Sequence, residues 1–231
     1  MKISIIIPVY NEIVTITQLI NNVRNIPIGA EKEIIVVDDG SNDETPRALN
    51  LINNDGTIRI FRHEKNRGKG AALRTALRYV TGDIVIIQDA DLEYDPHEYN
   101  NLLDPIINHG ADVVYGSRLS GGRTSRVYMF WHKLGNIFLT FLANLLYNTT
   151  LSDIETGYKL FRTEIIRSLN LKSNSFSIEA EITAKIFRNN KYRVYEVPIS
   201  YYGRTYKEGK KITWRQGFSA IFALFWYRFF D

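Results

Sequence analysis

Short apolar runs alternate with stretches of helical periodicity along the first half of the chain. Ile3 to Val9, Glu33 to Asp38, Ile58 to Arg62, Ile84 to Gln88 and Val113 to Ser117 read as strands. Between them, Glu12 to Asn25, Thr45 to Asn54, Gly68 to Tyr79 and His97 to Asn108 read as helices. Several of the strands are apolar without alternation, as expected when helices cover both faces of a parallel sheet. After Ser117 the pattern changes. Arg118 to Arg126 reads as a loop, and Val127 to Tyr147 is apolar but interrupted by His132, Lys133, Asn136 and Asn144. Asp153 to Arg162 starts polar and turns apolar, Phe176 to Arg188 reads as a helix, and Tyr192 to Pro198 as a last strand. A basic stretch, Arg204 to Arg215, then precedes an apolar segment, Phe218 to Phe230, that is apolar nearly all round.

This order predicts an α/β fold: a Rossmann-like, mostly parallel sheet with helices on both faces, followed by amphipathic C-terminal helices. Ligands of such sheets bind beyond the carboxyl ends of the strands. Four strand ends are rich in polar or charged residues. They are Pro8-Val9-Tyr10-Asn11-Glu12, Val37-Asp38-Asp39-Gly40-Ser41, Asp89-Ala90-Asp91 and Gly116-Ser117-Arg118.

Asp89-Ala90-Asp91 is the sharpest of them. Fold stability does not ask for two carboxylates one residue apart at the end of a buried strand. They repel unless a cation lies between them, and a hard divalent ion of the Mg²⁺ or Mn²⁺ kind suits such oxygen donors. The alternative is one aspartate as a helix cap and the other solvated. Asp39 is a candidate hydrogen-bond acceptor for a base or ribose, whereas Ser41 and Asp43 suit turn and cap duties. Asn66-Arg67-Gly68-Lys69-Gly70 lacks the spacing of a phosphate loop. Its glycines suit tight turning and close packing, and Lys69 is a supporting phosphate candidate at a helix N-terminus.

Composition bounds the rest. A net charge of +4 fits an anionic partner without selecting one, and the absence of cysteine excludes disulfides and thiolate metal sites. A nucleic-acid binder would need a basic stripe with interleaved stacking aromatics, and none is present in that form. The N-terminal apolar run is broken by Pro8 and reads as a strand, not a leader. No run reaches the ~18 apolar residues that span a bilayer. The expected location is cytoplasmic, with the apolar segments Val127–Tyr147 and Phe218–Phe230 either packed in the core or seated peripherally on the membrane face.

Taken in order, Ile7-Pro8-Val9-Tyr10-Asn11-Glu12, Val36-Val37-Asp38-Asp39-Gly40-Ser41, Asn66-Arg67-Gly68-Lys69-Gly70, Asp89-Ala90-Asp91-Leu92-Glu93 and Gly116-Ser117-Arg118 resemble the family 2 glycosyltransferases. The resemblance covers nearly the whole chain and implies the GT-A fold in a single domain, 1–231. Residues 1–118 would then bind the nucleotide sugar, 119–211 would form the acceptor side, and 212–231 a C-terminal apolar helix. The chain looks most like the dolichyl- and polyprenyl-phosphate sugar synthases. That likeness implies inverting transfer from a nucleotide-diphosphate sugar, GDP-mannose or a UDP-sugar, to a lipid phosphate.

It also implies roles. Pro8, Tyr10, Glu12, Val37 and Asp39 line the nucleotide pocket. Asp89, Ala90 and Asp91 meet the metal and sugar diphosphate, with Asp91 the principal metal ligand. Arg118 lies near the reaction centre, and Arg204 and Lys210 lie in a basic segment over the diphosphate. Arg118, Arg123, Arg126 and Lys133 are candidates to seat an acceptor phosphate, because arginine bonds phosphate bidentately. Asp153 is a candidate base or acceptor-orienting group; its alternative is a cap, or a partner of Lys159 or Arg162. The chain departs from these synthases at Glu93, where they often have Gln, and at Asp153-Ile154-Glu155-Thr156-Gly157-Tyr158, where they have Asp-Pro-Thr-Ser-Gly-Phe. The departures leave the sugar, the base and the acceptor open. Two alternatives stand beside this reading: transfer to a sugar hydroxyl in cell-surface polysaccharide, or a non-catalytic nucleotide-sugar-binding module.

Overall fold

A computed structural model of the chain describes residues 1–52, 56–127, 129–209 and 214–230. Among these residues seven strands, β1 (Lys2–Val9), β2 (Glu31–Asp38), β3 (Ile58–Arg62), β4 (Ile84–Ile87), β5 (Val113–Ser117), β6 (Lys159–Arg162) and β7 (Val194–Pro198), form one sheet in the order β3-β2-β1-β4-β6-β5-β7. All neighbours run parallel except β6, which is antiparallel to both β4 and β5.

Among the described residues eight α-helices connect and cover the strands: α1 (Ile16–Asn25), α2 (Thr45–Asn50), α3 (Lys69–Leu77), α4 (Tyr99–Asn108), α5 (Phe130–Tyr147), α6 (Thr163–Ser168), α7 (Ile178–Phe187) and α8 (Trp214–Phe229). The expected helix Thr45–Asn54 ends in the structure at Asn50, and residues 53–55 lie outside the described set.

The period-2 pleat divides the core in two. Ile3, Ile5, Ile7, Val9, Ile34, Val36, Ile84 and Ile86 face α1 and α4, packing with Leu19, Ile20, Leu102 and Leu103. Ile6, Ile35, Val37, Val85, Ile87 and Phe161 face the other way, toward Leu73 of α3, Ile182 of α7 and Leu224 of α8. This double burial explains the unbroken Ile/Val runs of β1, β2 and β4.

Strand β6 was not legible in the pattern. It is four residues long with Lys159 and Arg162 at its ends, so its apolar Leu160-Phe161 pair is too short to show a strand pattern. Its reversed direction matters for the site. The segment that leads into β6, residues 153–158, arrives at the same sheet edge as the carboxyl ends of β4 and β5.

Helix α5 buries Leu139, Thr140, Ala143 and Tyr147, and α8 packs against it, with the Tyr147 hydroxyl donating to the Leu224 carbonyl at 2.6 Å. Both helices are apolar on the outside as well. Phe130, Trp131, Phe138 and Phe141 of α5 and Phe218, Phe222, Trp226 and Phe229 of α8 are exposed. No helix among the described residues is long and apolar enough to cross a membrane.

Candidate active site

The carboxyl edge of the sheet carries a cleft of about 350 Å³. It is lined by Pro8 at the end of β1 and Tyr10 and Glu12 after it, Asp39 after β2, Asn66, Gly68 and Lys69 before and at the start of α3, Asp89, Ala90, Asp91 and Glu93 after β4, Arg118 after β5, and Arg204. Ten candidates from the sequence therefore converge on one space. Val37 does not line it: the residue is wholly buried in the sheet core among Ile35 and Ile6. Lys210 lies outside the described residues.

Asp39 has a more internal duty than base or ribose recognition alone. Its Oδ1 meets His63 Nδ1 at 2.6 Å and accepts from the Arg67 amide at 2.9 Å, while Oδ2 accepts from the Gly68 amide at 2.7 Å. It thereby fixes the 63–68 loop. Gly68, at φ +95°, and Gly70 leave room for the 173–175 segment, since a Cβ on either would overlap its backbone. The close-packing reading of these glycines holds.

Lys69 points into the cleft, but its ammonium is already paired. It lies 2.6 Å from Asp89 Oδ1 and 2.9 Å from Glu179 Oε1, and Glu179 in turn lies 2.5 Å from the buried Lys159. The result is an alternating chain Asp89–Lys69–Glu179–Lys159 that runs from the cleft into the core. Burial alone would lower the lysine's pKa, but Asp89 and Glu179 raise it above the ordinary value. A phosphate role for Lys69 gives way to one of holding Asp89. Gly157 completes that hold, because a Cβ there would overlap Asp89 Oδ2.

Asp91 lies in an acidic surround. Burial, then Asp89 and Glu93, push its carboxyl up to about 7, against the pull of Arg204. Leu92 adopts φ +58°, a conformation that a branched aliphatic residue takes only at a cost of order 1–3 kcal/mol. The turn brings Glu93 back over the cleft, where it accepts from the Tyr201 hydroxyl and the Arg204 amide, both at 2.6 Å. Arg204 reaches Glu12 with two hydrogen bonds of 3.0 Å and lies 3.5 Å from Asp91. Glu93, the departure from the resembling synthases, thus shapes the Arg204 loop.

Arg118 and Asp153 form a bidentate pair, Nε–Oδ2 2.7 Å and Nη2–Oδ1 2.8 Å, with the Arg118 ring-facing side over Tyr201. Asp153 is wholly buried. Burial would raise its pKa, but Arg118 and hydrogen bonds from Arg118 and Asn136 hold it below the ordinary carboxylate range. A carboxylate so held is a poor proton acceptor, so the expected base role is corrected to one of orienting Arg118. The expected partners Lys159 and Arg162 are engaged elsewhere, with Glu179 and Asp112.

The acceptor cluster is split. Only Arg118 lines the cleft; Arg123 pairs with Glu98 at 3.8 Å, Arg126 with Glu208 at 2.8 Å, and Lys133 is exposed on α5. Sequence reasoning missed Tyr94, Glu155, Phe176, Glu179 and Tyr201 as cleft residues. Only Glu155 carried a signal, as a departure from the family element.

The donor set around Asp91 suits a divalent ion only with help from substrate. Among the described residues no three acids or histidines converge as a complete cage. Asp91, with Asp89 tied to Lys69, fits an ion that takes one or two protein carboxylates and completes its shell with substrate phosphate oxygens and water.

A mostly parallel sheet with an acidic cleft and paired arginines at its carboxyl edge is the GT-A-like architecture of nucleotide-sugar transferases. Residues 4–169 match the model of glycosyl transferase family 2, and the chain belongs to that family. It is 31% identical to the dolichol-phosphate mannosyltransferase of Pyrococcus furiosus, over 91% of this chain and 59% of that longer protein. It is also 31% identical to the UDP-N-acetylglucosamine–dolichyl-phosphate N-acetylglucosaminyltransferase of Methanococcus voltae, over 96% of this chain and 94% of that one. Among solved structures it resembles glucosyl-3-phosphoglycerate synthase from Mycobacterium tuberculosis, in complex with Mn²⁺, UDP-glucose and phosphoglyceric acid. The TM-score is 0.76 at 19% identity, covering 98% of this chain and 79% of that one, a likeness of fold.

Proposed function

We propose that the protein moves a sugar, with inversion, from a nucleotide-diphosphate sugar (GDP-mannose or a UDP-sugar) to a polyprenyl or dolichyl phosphate, with Mg²⁺ or Mn²⁺ held at Asp91. The observation that carries the acceptor class is the state of two carboxylates, Asp153 and Glu179. Both are bound to cations and held below the ordinary range, Glu179 by Lys159 and Lys69 against the raising effect of burial. A sugar hydroxyl needs a base within reach. A lipid phosphate, with a second pKa near 6, is already ionised and needs only a cation. Arg118 supplies that cation, since its Nη1 takes no part in the pair with Asp153.

Pro8, Tyr10, Glu12 and Asp39 form the nucleotide flank of the cleft. Arg204, aimed at Asp91, meets a diphosphate laid over that residue. A divalent ion bound there supplies charge neutralisation for the departing diphosphate. The exposed aromatic faces of α5 and α8 seat the enzyme at the cytoplasmic membrane face, where a lipid-borne phosphate is presented.

Transfer to a sugar hydroxyl is the second reading, favoured by Glu155, whose carboxyl is pushed up to about 7 by burial and Glu179. Product analysis with purified protein, Mn²⁺, GDP-mannose, UDP-glucose or UDP-N-acetylglucosamine, and either a polyprenyl phosphate or a panel of oligosaccharides separates the two. Glycolipid formed only with the polyprenyl phosphate supports the proposal; product on an oligosaccharide alone refutes it. Asp91→Asn is expected to abolish the Mn²⁺-dependent part of donor binding.

A further inference from the structure

We propose that Glu155 hydrogen-bonds a hydroxyl of the sugar being transferred and so takes part in choosing the donor. The inference deepens the nucleotide-sugar reading above and rests on it. Glu155 lies on the segment between α5 and β6, whose other residues already serve the cleft: Asp153 orients Arg118, and Gly157 makes room for Asp89. Because β6 is antiparallel, this segment reaches the cleft on the side of β4 opposite β1. The nucleotide flank, from Pro8 to Glu12 and Asp39, stands on the β1 and β2 side. Glu155 therefore faces whatever lies beyond the diphosphate, across Asp89 and Asp91.

Its chemistry narrows the partner. Oε1 is buried at the cleft wall and has no hydrogen-bond partner among the described residues. An unsatisfied buried acceptor costs about 1–3 kcal/mol, so an occupant that donates to it is favoured. The neighbouring cations do not fill this role. Lys159 is taken up by Glu179 and the Thr156 carbonyl, and Arg118 turns Nε and Nη2 to Asp153. An anion is a poor partner for the Glu155 carboxyl itself, which lies near Glu179 and Asp153. A neutral polyol meets the requirement, since each hydroxyl brings a donor and no charge.

The test is calorimetric titration of the full chain in Mn²⁺, comparing UDP-glucose with UDP and GDP-mannose with GDP, for wild type, Glu155→Ala and Glu155→Gln. Thermal melts report whether each variant is folded. For the sugar nucleotide that wild type binds, Glu155→Ala is expected to weaken affinity about tenfold, the size of one lost hydrogen bond to a carboxyl group. Affinity for the matching bare diphosphate should stay unchanged, and Glu155→Gln, which keeps a carbonyl oxygen, should lose about threefold or less. Equal loss for both ligands, or no loss, overturns the assignment. So does a Glu155→Gln variant that binds donor normally but stops turning over, the mark of a base. Wild-type protein that binds none of the four ligands overturns the nucleotide-sugar reading itself, a failure visible before any variant is made.

Discussion

Arg204 and Glu12, 192 residues apart in sequence, face each other fork to carboxylate, with Nη1–Oε2 and Nη2–Oε1 both at 3.0 Å. The pair ties the loop after β7 to the loop after β1, across the mouth of the cleft. It also holds a guanidinium beside Asp91, in a place where three carboxylates, Glu12, Asp91 and Glu93, would otherwise repel one another.

Arg204→Ala should therefore weaken donor binding by about tenfold or more, the scale of a charge-assisted contact. Arg204→Lys should recover little of it, since an ammonium cannot reproduce the two parallel bonds. Titration with GDP-mannose or UDP-glucose, at fixed Mn²⁺, reads both variants.

Asp153→Asn leaves Arg118 buried against a neutral amide and should cost about 3–5 kcal/mol of stability at pH 7, as for other broken buried pairs. The sign with pH follows from the depressed pKa of Asp153. Its contribution is fully present above the unfolded aspartate value of about 3.9 and is lost as pH falls through the lower folded value. Denaturant melts should show the gap between wild type and variant shrinking as pH falls below about 4. A gap that stays undiminished at the lowest pH would contradict the pairing.

Gly157→Ala places a methyl group on Asp89 Oδ2 and should push the carboxylate off Lys69. Overpacking of this kind costs about 1–3 kcal/mol. Turnover should fall by more than tenfold while the fold persists, which thermal melts and a transfer assay with the preferred donor would show together.

Phe222→Glu with Trp226→Glu changes two exposed, stacked rings of α8, 5.7 Å apart. Loss of the stacked pair and of the covered half of Trp226 should cost about 1–2 kcal/mol, and thermal melts check that the variant is folded. Co-sedimentation with vesicles of anionic lipid should drop several-fold if α5 and α8 rest on the bilayer, and unchanged sedimentation would rule that seating out.

Much of this molecule is written locally. The Ile/Val runs of β1, β2 and β4 and the helical stripes of α1 and α4 announce a buried parallel sheet, because periodicity and burial are properties of neighbouring residues. The acids at Asp89 and Asp91 ask for a neighbouring positive charge, because their repulsion is likewise local, and the structure sets Lys69 against the first and Arg204 near the second. What local pattern does not contain is pairing between distant charges. Asp153 reads as a base until Arg118 grips it, Lys69 as a phosphate ligand until Asp89 and Glu179 claim it, and Arg123 and Arg126 as an acceptor seat until Glu98 and Glu208 draw them aside. Strand β6 shows the same limit, since only the fold can bury Lys159 against Glu179 and bring Glu155 round to the cleft. Residue types settled which charges this protein has. The tertiary structure settled which of them are already spent on one another, since ion pairing depends on distance in space and not along the chain.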